Sequence, residues 1–354
     1  DSEGIEGRFF TWPWDELTGL VGFDAAAALG ATPEGNWPEG KGRNVLWFPR
    51  GELPSGIDLS AARAVLFGER EGRVRPATDD KVLCGWNAIA IQALAEAGRA
   101  FGNAVYLNAA TAGAEFVLGH LRNERGRLLR SWRDGTAGRP AFCDDHALWA
   151  SACLTLFAAT EELRWYAEAS RSADELVALF SDEERGGFFQ TGSDDDPLVI
   201  RPKDLYDNAV PSGNSAAADV LQRVSLLTGD AGKERTGVSA IRLVQGVLGH
   251  APTGFGHALC ALDLYLGPSN EVAIVGEAGH PATDALVDEV VGARFLPNTV
   301  VAVADPRDDQ AIAAVPLLRD RPQIDGLPTA YVCRRFACRL PVTRPEDLAA
   351  QLQA

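Results

Sequence analysis

The feature that most constrains the fold is a recurrence of polar clusters, each placed directly before an amphipathic helical stretch. The three clusters are Asp79-Asp80-Lys81-Val82-Leu83-Cys84-Gly85-Trp86-Asn87, Ala141-Phe142-Cys143-Asp144-Asp145-His146 and Tyr206-Asp207-Asn208-Ala209-Val210-Pro211-Ser212-Gly213-Asn214. Between clusters the pattern runs helix, short loop, helix. After an out-and-back pair, the next helix starts at the same end as the first. All three clusters are therefore expected on one face of a helical bundle or toroid.

From residue 80 onward, apolar residues recur at helical spacing, as in Trp86, Ile89, Ala90, Ala93, Leu94 and Ala97. The expected helices are 84–101, 104–121, 143–160, 163–180, 212–228, 233–249 and 254–266. Gly102, Gly229 and Gly267 are expected to stop helices. Loops within pairs are short, so paired helices should be antiparallel neighbours. Loops between pairs are long and carry strand-like pieces at Arg127–Trp132 and Gly186–Thr191; long loops in a compact domain usually carry function. Residues 1–78 read as an irregular segment. Within it, strands are expected at 8–12 and 44–48, and a helix at 58–68 capped by Asp58 or Ser60. Residues 79–267 read as the helical portion. In residues 268–354, the apolar runs Glu271–Gly276 and Asn298–Val303 around a helix form a β-α-β pattern, followed by a strand at 329–333.

Hydrophobic residues make up 46% and charged residues 23% of the 354, the balance of a globular chain. No apolar run is long enough to span a bilayer. A net charge of −16 argues against general affinity for nucleic acid or an anionic membrane. None of the six cysteines forms a C-x-x-C pair. Cys84, Cys153 and Cys260 read as buried small hydrophobes. Cys333 and Cys338 lack two further ligands for a zinc site. A reduced, cytoplasmic protein is the expectation, with no metal and no organic cofactor. The chain contains no Met and begins Asp1-Ser2-Glu3-Gly4, so its true N-terminus is expected to be missing.

Taken in order, D-D-K-V-L-C-G-W-N, R-L-L-R-S-W-R-D-G (127–135), A-F-C-D-D-H-A (141–147), R-P-K-D-L-Y-D-N-A-V-P-S-G-N-S (201–215) and P-T-A-Y-V-C-R-R-F-A-C (328–338) resemble the thioredoxin-domain-containing family that includes spermatogenesis-associated protein 20. The resemblance implies a C-terminal region of a longer protein. It implies a mainly α fold, an (α/α)6 six-hairpin toroid incomplete at its N-terminus with a small C-terminal α/β appendage, similar to glycosidases and N-acylglucosamine 2-epimerases. The family's thioredoxin-like domain is absent from this chain. The sequence departs from the family's pattern at Asp144-Asp145-His146, where Glu, Asp and Tyr are more usual, and at Cys84, where Thr is common.

The clusters have chemistry to match a sugar site. An aromatic face with carboxylates and amides stacks on a sugar ring and pairs with its hydroxyls. Asp145 and Asp207 are the expected acid–base pair. His146 and His257 form an alternative pair for proton transfer at a sugar carbon. Binding residues are expected at Asp80, Trp86, Asn87, Arg130, Trp132, Arg133, Asp144, Arg201, Lys203, Asn208, Ser212 and Asn214. Against each stands a structural reading: Asp and Ser as helix caps, Trp as core, Arg as solvated charge. Ser212 has no His partner in sequence and does not lie in G-x-S-x-G, which excludes a serine hydrolase of that type. Two functions from different classes follow. One is carbohydrate catalysis or binding, hydrolase-like or epimerase-like, with a small carbohydrate as ligand. The other is a non-catalytic platform that presents client proteins to the thioredoxin-like domain.

Overall fold

The computed structural model describes residues 1–49, 59–196, 199–292 and 294–353. The chain divides into two compact units, Asp1–Asp80 and Lys81–Ala354.

In the first unit, β1 (Trp12–Pro13) pairs antiparallel with β2 (Arg43–Asn44). Helices α1 (Trp14–Val21), α2 (Phe23–Ala28) and α3 (Leu59–Glu71) enclose a small core of Trp12, Leu17, Ala26, Leu29, Ala31 and Leu66. Buried Asn44 stands in for missing sheet partners by bonding both polar groups of the Thr32 backbone and the Trp12 carbonyl. The strand expected at 8–12 gives way to β1 because the Gly7 carbonyl accepts the Phe10 and Thr11 amides in a turn; that expected at 44–48 keeps only Asn44, since the Val45 amide goes to the Asn36 side chain and the Trp47 amide to the Leu29 carbonyl. The expected cap Asp58 lies outside the described residues.

The second unit begins with β3 (Val82–Leu83), which leads into α4 (Cys84–Ala100) and α5 (Ala104–His120). A hairpin of β4 (Ser131–Arg133) and β5 (Thr136–Ala137) pairs onto β3. It is followed by α6 (Cys143–Thr160), α7 (Leu163–Phe180), α8 (Gly213–Thr228), α9 (Ala231–Leu248) and α10 (Gly256–Leu266). Helices α4, α6, α8 and α10 pack on one another in that order, and α5, α7 and α9 each back onto the partner that precedes them. The result is an arc of helical hairpins with an inner and an outer layer. Its cause is visible in the side chains. Inner helices α6 and α8 are buried on nearly every face, so they need neighbours all round. Outer α7 buries a single stripe of Trp165, Tyr166, Ala169, Ala173, Leu176 and Phe180. Gly229 and Gly267 close α8 and α10 as expected.

The C-terminal part is a four-stranded sheet in the order β7-β6-β8-β9, built from β6 (Asn270–Val275), β7 (Thr299–Ala304), β8 (Thr329–Arg334) and β9 (Ala337–Cys338). Helix α11 (Pro281–Val291) makes the crossover between parallel β6 and β7; α12 (Asp309–Ala314) follows β7 and α13 (Pro345–Gln353) ends the unit. The strands read as continuous apolar runs because both faces are covered. Val301, Val303 and Val332 turn to Leu286, Val290 and Leu348 of α11 and α13, while Val300, Ala302 and Ala304 join the helical core.

Hairpin closeness rests on glycine. A Cβ on Gly98 would lie 3.0 Å from the Leu107 amide nitrogen, where α4 and α5 touch. Gly246 on α9 has open space around it. Alanine gains about 1 kcal/mol of helix propensity at either place, but overpacking against backbone costs about 1–3 kcal/mol. Gly98→Ala is therefore expected to lower the free energy of unfolding by about 1 kcal/mol and Gly246→Ala to raise it by about 0.5 kcal/mol, read by urea unfolding at unchanged slope.

Candidate functional site

The N-termini of the inner helices meet, and carboxylates join them. Asp145, in the first turn of α6, is 2% exposed. Its Oδ1 accepts the Gly85 amide of α4 at 2.9 Å, and its Oδ2 accepts the Phe142 amide at 2.9 Å and the Arg130 guanidinium at 2.8 Å. One side chain thus caps its own helix and its neighbour. Asp207 does the same on the other side. Its Oδ1 accepts the amide of Ser212, the N-cap of α8, at 2.9 Å, and its Oδ2 accepts the His257 and Ala258 amides of α10 at 2.8 and 3.1 Å. Between these pairs, Gly213 of α8 sits where a Cβ would come within 3.1 Å of the Asp144 amide nitrogen and of the Cys143 sulfur. Gly85 is similarly tight, with Asp145 Oδ1 3.0 Å from its virtual Cβ.

Four carboxylates therefore gather here: Asp144, Asp145, Asp204 and Asp207. Burial, then the Asp144 charge, raises the Asp145 carboxyl to about 6, against the opposing pull of Arg130 and the two backbone donors. Burial also raises Asp204, helped by the charges of Asp144 and Asp207 and opposed by the Gly213 and Tyr206 amides. Asp204 had no sequence signal beyond its place before the Tyr206 cluster. Arg130 lies 3.4 Å from Asp144 and stacks over Phe142 at 4.5 Å, so it bridges the two neighbouring aspartates. Trp86, beside Gly85, leaves 63% of its surface exposed.

Other expected site residues have structural partners. Asn87 donates to the Leu83 carbonyl. Asn214 is buried and binds both polar groups of the Phe188 backbone and the Asp204 carbonyl, which pins the long loop to α8. Ser212 caps α8. Arg201 donates to the Leu179 and Thr191 carbonyls and stacks on Phe189; Lys203 pairs with Asp182 at 2.7 Å. Both cations thus hold the loop between α7 and α8. Trp132 packs edge-on against Phe116 of α5, 5.3 Å between centroids. Arg133 is exposed and lies 3.4 Å from Asp134; Asn208 is exposed. Asp80 belongs to the first unit and is exposed.

The two histidines have different partners. His146 is fully buried between α6 and α7, with its ring 5.3 Å from Phe180, one nitrogen against Arg127 and the other 3.4 Å from Glu175. Burial and the nearby arginines lower its pKa well below the usual range, so it is neutral. His257 contributes its backbone amide to Asp207. Among the described residues no group of three His, Cys, Asp or Glu side chains is arranged to hold a metal, and no helix is long and apolar enough to cross a membrane.

The cysteines correct two expectations. Cys260 is exposed, because it falls on the outward side of α10. Cys333 and Cys338 form a disulfide, where separate reduced thiols were expected. The reason is the two-residue turn Arg335-Phe336, both at positive φ (50° and 62°), which sets Cys333 opposite Cys338 across β8 and β9.

No family model matches the chain. It is 28% identical to human spermatogenesis-associated protein 20 over 97% of its own length, and 28% identical to the rat protein of the same name over 83%. Those matches take in 49% and 39% of the relatives, so the chain spans half or less of the proteins it resembles. Among solved structures, it is similar to cellobiose 2-epimerase from Spirochaeta thermophila (17% identity, TM-score 0.40, 47% of this chain and 43% of that one). It is also similar to a glycoside hydrolase family 76 mannosidase from Bacteroides thetaiotaomicron (13% identity, TM-score 0.40, 48% and 45%).

Asp145 gives the rim a pH signature. Its carboxyl is raised in the folded state, so the folded form holds the proton more tightly than the unfolded form does. The stabilisation from this group is complete below the unfolded carboxylate range near 4 and is lost as pH rises through about 6. Wild type minus Asp145→Asn, compared by denaturant unfolding from pH 4 to pH 7, is expected to show a stability difference that declines with rising pH. A difference that is flat or grows with pH would contradict the assignment.

Proposed function

We propose that the inner-helix N-termini of the second unit form a carbohydrate site, with Trp86 as the stacking surface and Asp144 and Asp204 as the acid–base pair. The observation that carries this reading is the division among the four clustered aspartates. Asp145 and Asp207, the pair expected from sequence, have their oxygens occupied by helix-end amides. Asp204 also takes the Gly213 and Tyr206 amides but joins no second helix and is exposed, and the Asp144 side chain keeps 21% of its surface open. A carboxyl that holds its proton above the ordinary range, beside a second carboxyl tied to an arginine, suits protonation of a leaving oxygen or proton exchange next to a carbonyl. Arg130 then acts by fixing Asp144 and Asp145 together.

The test is thermal denaturation of the chain with mono- and disaccharides, sugar phosphates and uronic acids. A binding saccharide at a hundred times its dissociation constant is expected to stabilise wild type by about 2.7 kcal/mol. The Asp144→Asn/Asp204→Asn double variant is expected to lose that shift while keeping its ligand-free melting point, and Trp86→Ala to weaken binding by about tenfold. A shift that survives in the double variant would sink the assignment of these residues. No shift with any saccharide would sink the carbohydrate reading and favour a protein-binding platform.

A further inference from the structure

The β8–β9 hairpin carries an arrangement that the proposed sugar site does not use. Cys333 is fully buried and Cys338 is exposed, and the two sulfurs are bonded. The guanidinium of Arg321 lies against both, 3.4 Å from Cys333 Sγ and 3.2 Å from Cys338 Sγ. Arg321 is aimed there by its own surroundings. Its other terminal nitrogen donates to the Arg319 carbonyl at 2.8 Å, and its head group lies 5.8 Å from the Tyr331 ring. Its buried Nε has no hydrogen-bond partner among the described residues. The turn itself is held from below, where buried Glu271 accepts the Phe336 amide at 2.9 Å.

A guanidinium adds little to a neutral disulfide. Its charge acts on a thiolate, which is the species that attacks and leaves in thiol–disulfide exchange. We infer that Cys333–Cys338 is a thiol–disulfide exchange site for small-molecule or protein thiols, with Arg321 stabilising the departing Cys333 thiolate. An incoming thiolate attacks the exposed Cys338 sulfur. The bond between the two cysteine sulfurs breaks, and Cys333 leaves with the electron pair against Arg321. A second thiolate attacks the incoming partner's sulfur in the mixed disulfide and expels the Cys338 thiolate. The two thiols are oxidised to one disulfide, the hairpin gains two electrons, and the two cysteines take up protons according to their pKa values. The reverse sequence reoxidises the hairpin by a disulfide of the same class.

The test uses the full chain equilibrated against graded ratios of reduced and oxidised glutathione, with alkylation and peptide mass mapping. Cys333 and Cys338 are expected to gain label together, apart from Cys260. Arg321→Gln is expected to slow reduction roughly tenfold and Arg321→Lys to restore part of the rate. In reduced wild type, the pH midpoint for alkylation of this pair is expected below the ordinary thiol range of about 8.5. Two free thiols across the whole series would overturn the inference. So would an alkylation midpoint at or above the ordinary range, which stands as the deciding reading should Arg321→Gln fail to fold.

Discussion

The helical unit depends on how the open amides at the N-termini of its inner helices are satisfied. Each helix leaves amides without partners at its start, and packing several starts together concentrates both those donors and the positive ends of the helix dipoles. Asp145 and Asp207 answer the first demand, because each accepts from its own helix entry and from a neighbour's first turn. Hydrogen bonds to a charged group contribute about 1.5–3 kcal/mol. Glycines at 85 and 213 follow from the same arrangement, since a side chain at either place would press on Asp145 or on the Cys143–Asp144 backbone. The register between hairpins is thereby fixed at the end where ligand chemistry is proposed.

The sheet at the C-terminal end braces the other side of the inner layer. Strand β7 touches α6 and α8, and its alternate residues go to two different cores. That two-sided burial makes the strand readable in sequence as an unbroken apolar run. The strand order puts the β8–β9 hairpin at the opposite edge of the sheet, where Phe336 lies 3.3 Å from the virtual Cβ of Gly229 at the end of α8.

The helices were legible because period and stop signals agree. The start of α6 at Cys143 and the glycine ends of α8 and α10 fall where apolar spacing and capping rules put them. The gathering of the three clusters was only partly legible, since Asp80 falls in the first unit. Side-chain roles were not legible. A carboxylate before a helix looks the same in sequence whether it caps that helix, a neighbour, or a ligand, so Asp145 and Asp207 stood out while Asp204 did not. Arg201 and Lys203 read as ligand-binding cations or partners of Asp204 and Asp207, yet Phe189, Asp182 and loop carbonyls occupy them. His146 read as a helix-start residue, and only the packing of α7 shows it turned inward against Glu175 and Phe180. The β8–β9 hairpin escaped notice because Arg-Phe takes a turn that usually shows Asn or Gly.

Asp145 and Asp207 each join two helix ends, whereas Asp144 and Asp204 stay on the rim. The most direct measurement is urea unfolding of Asp207→Ala beside Asp204→Ala. Asp207→Ala, which strands three helix-end amides, is expected to lose at least about 2 kcal/mol, and Asp204→Ala less than about 1 kcal/mol. Equal losses, or a larger loss for Asp204→Ala, would contradict that division.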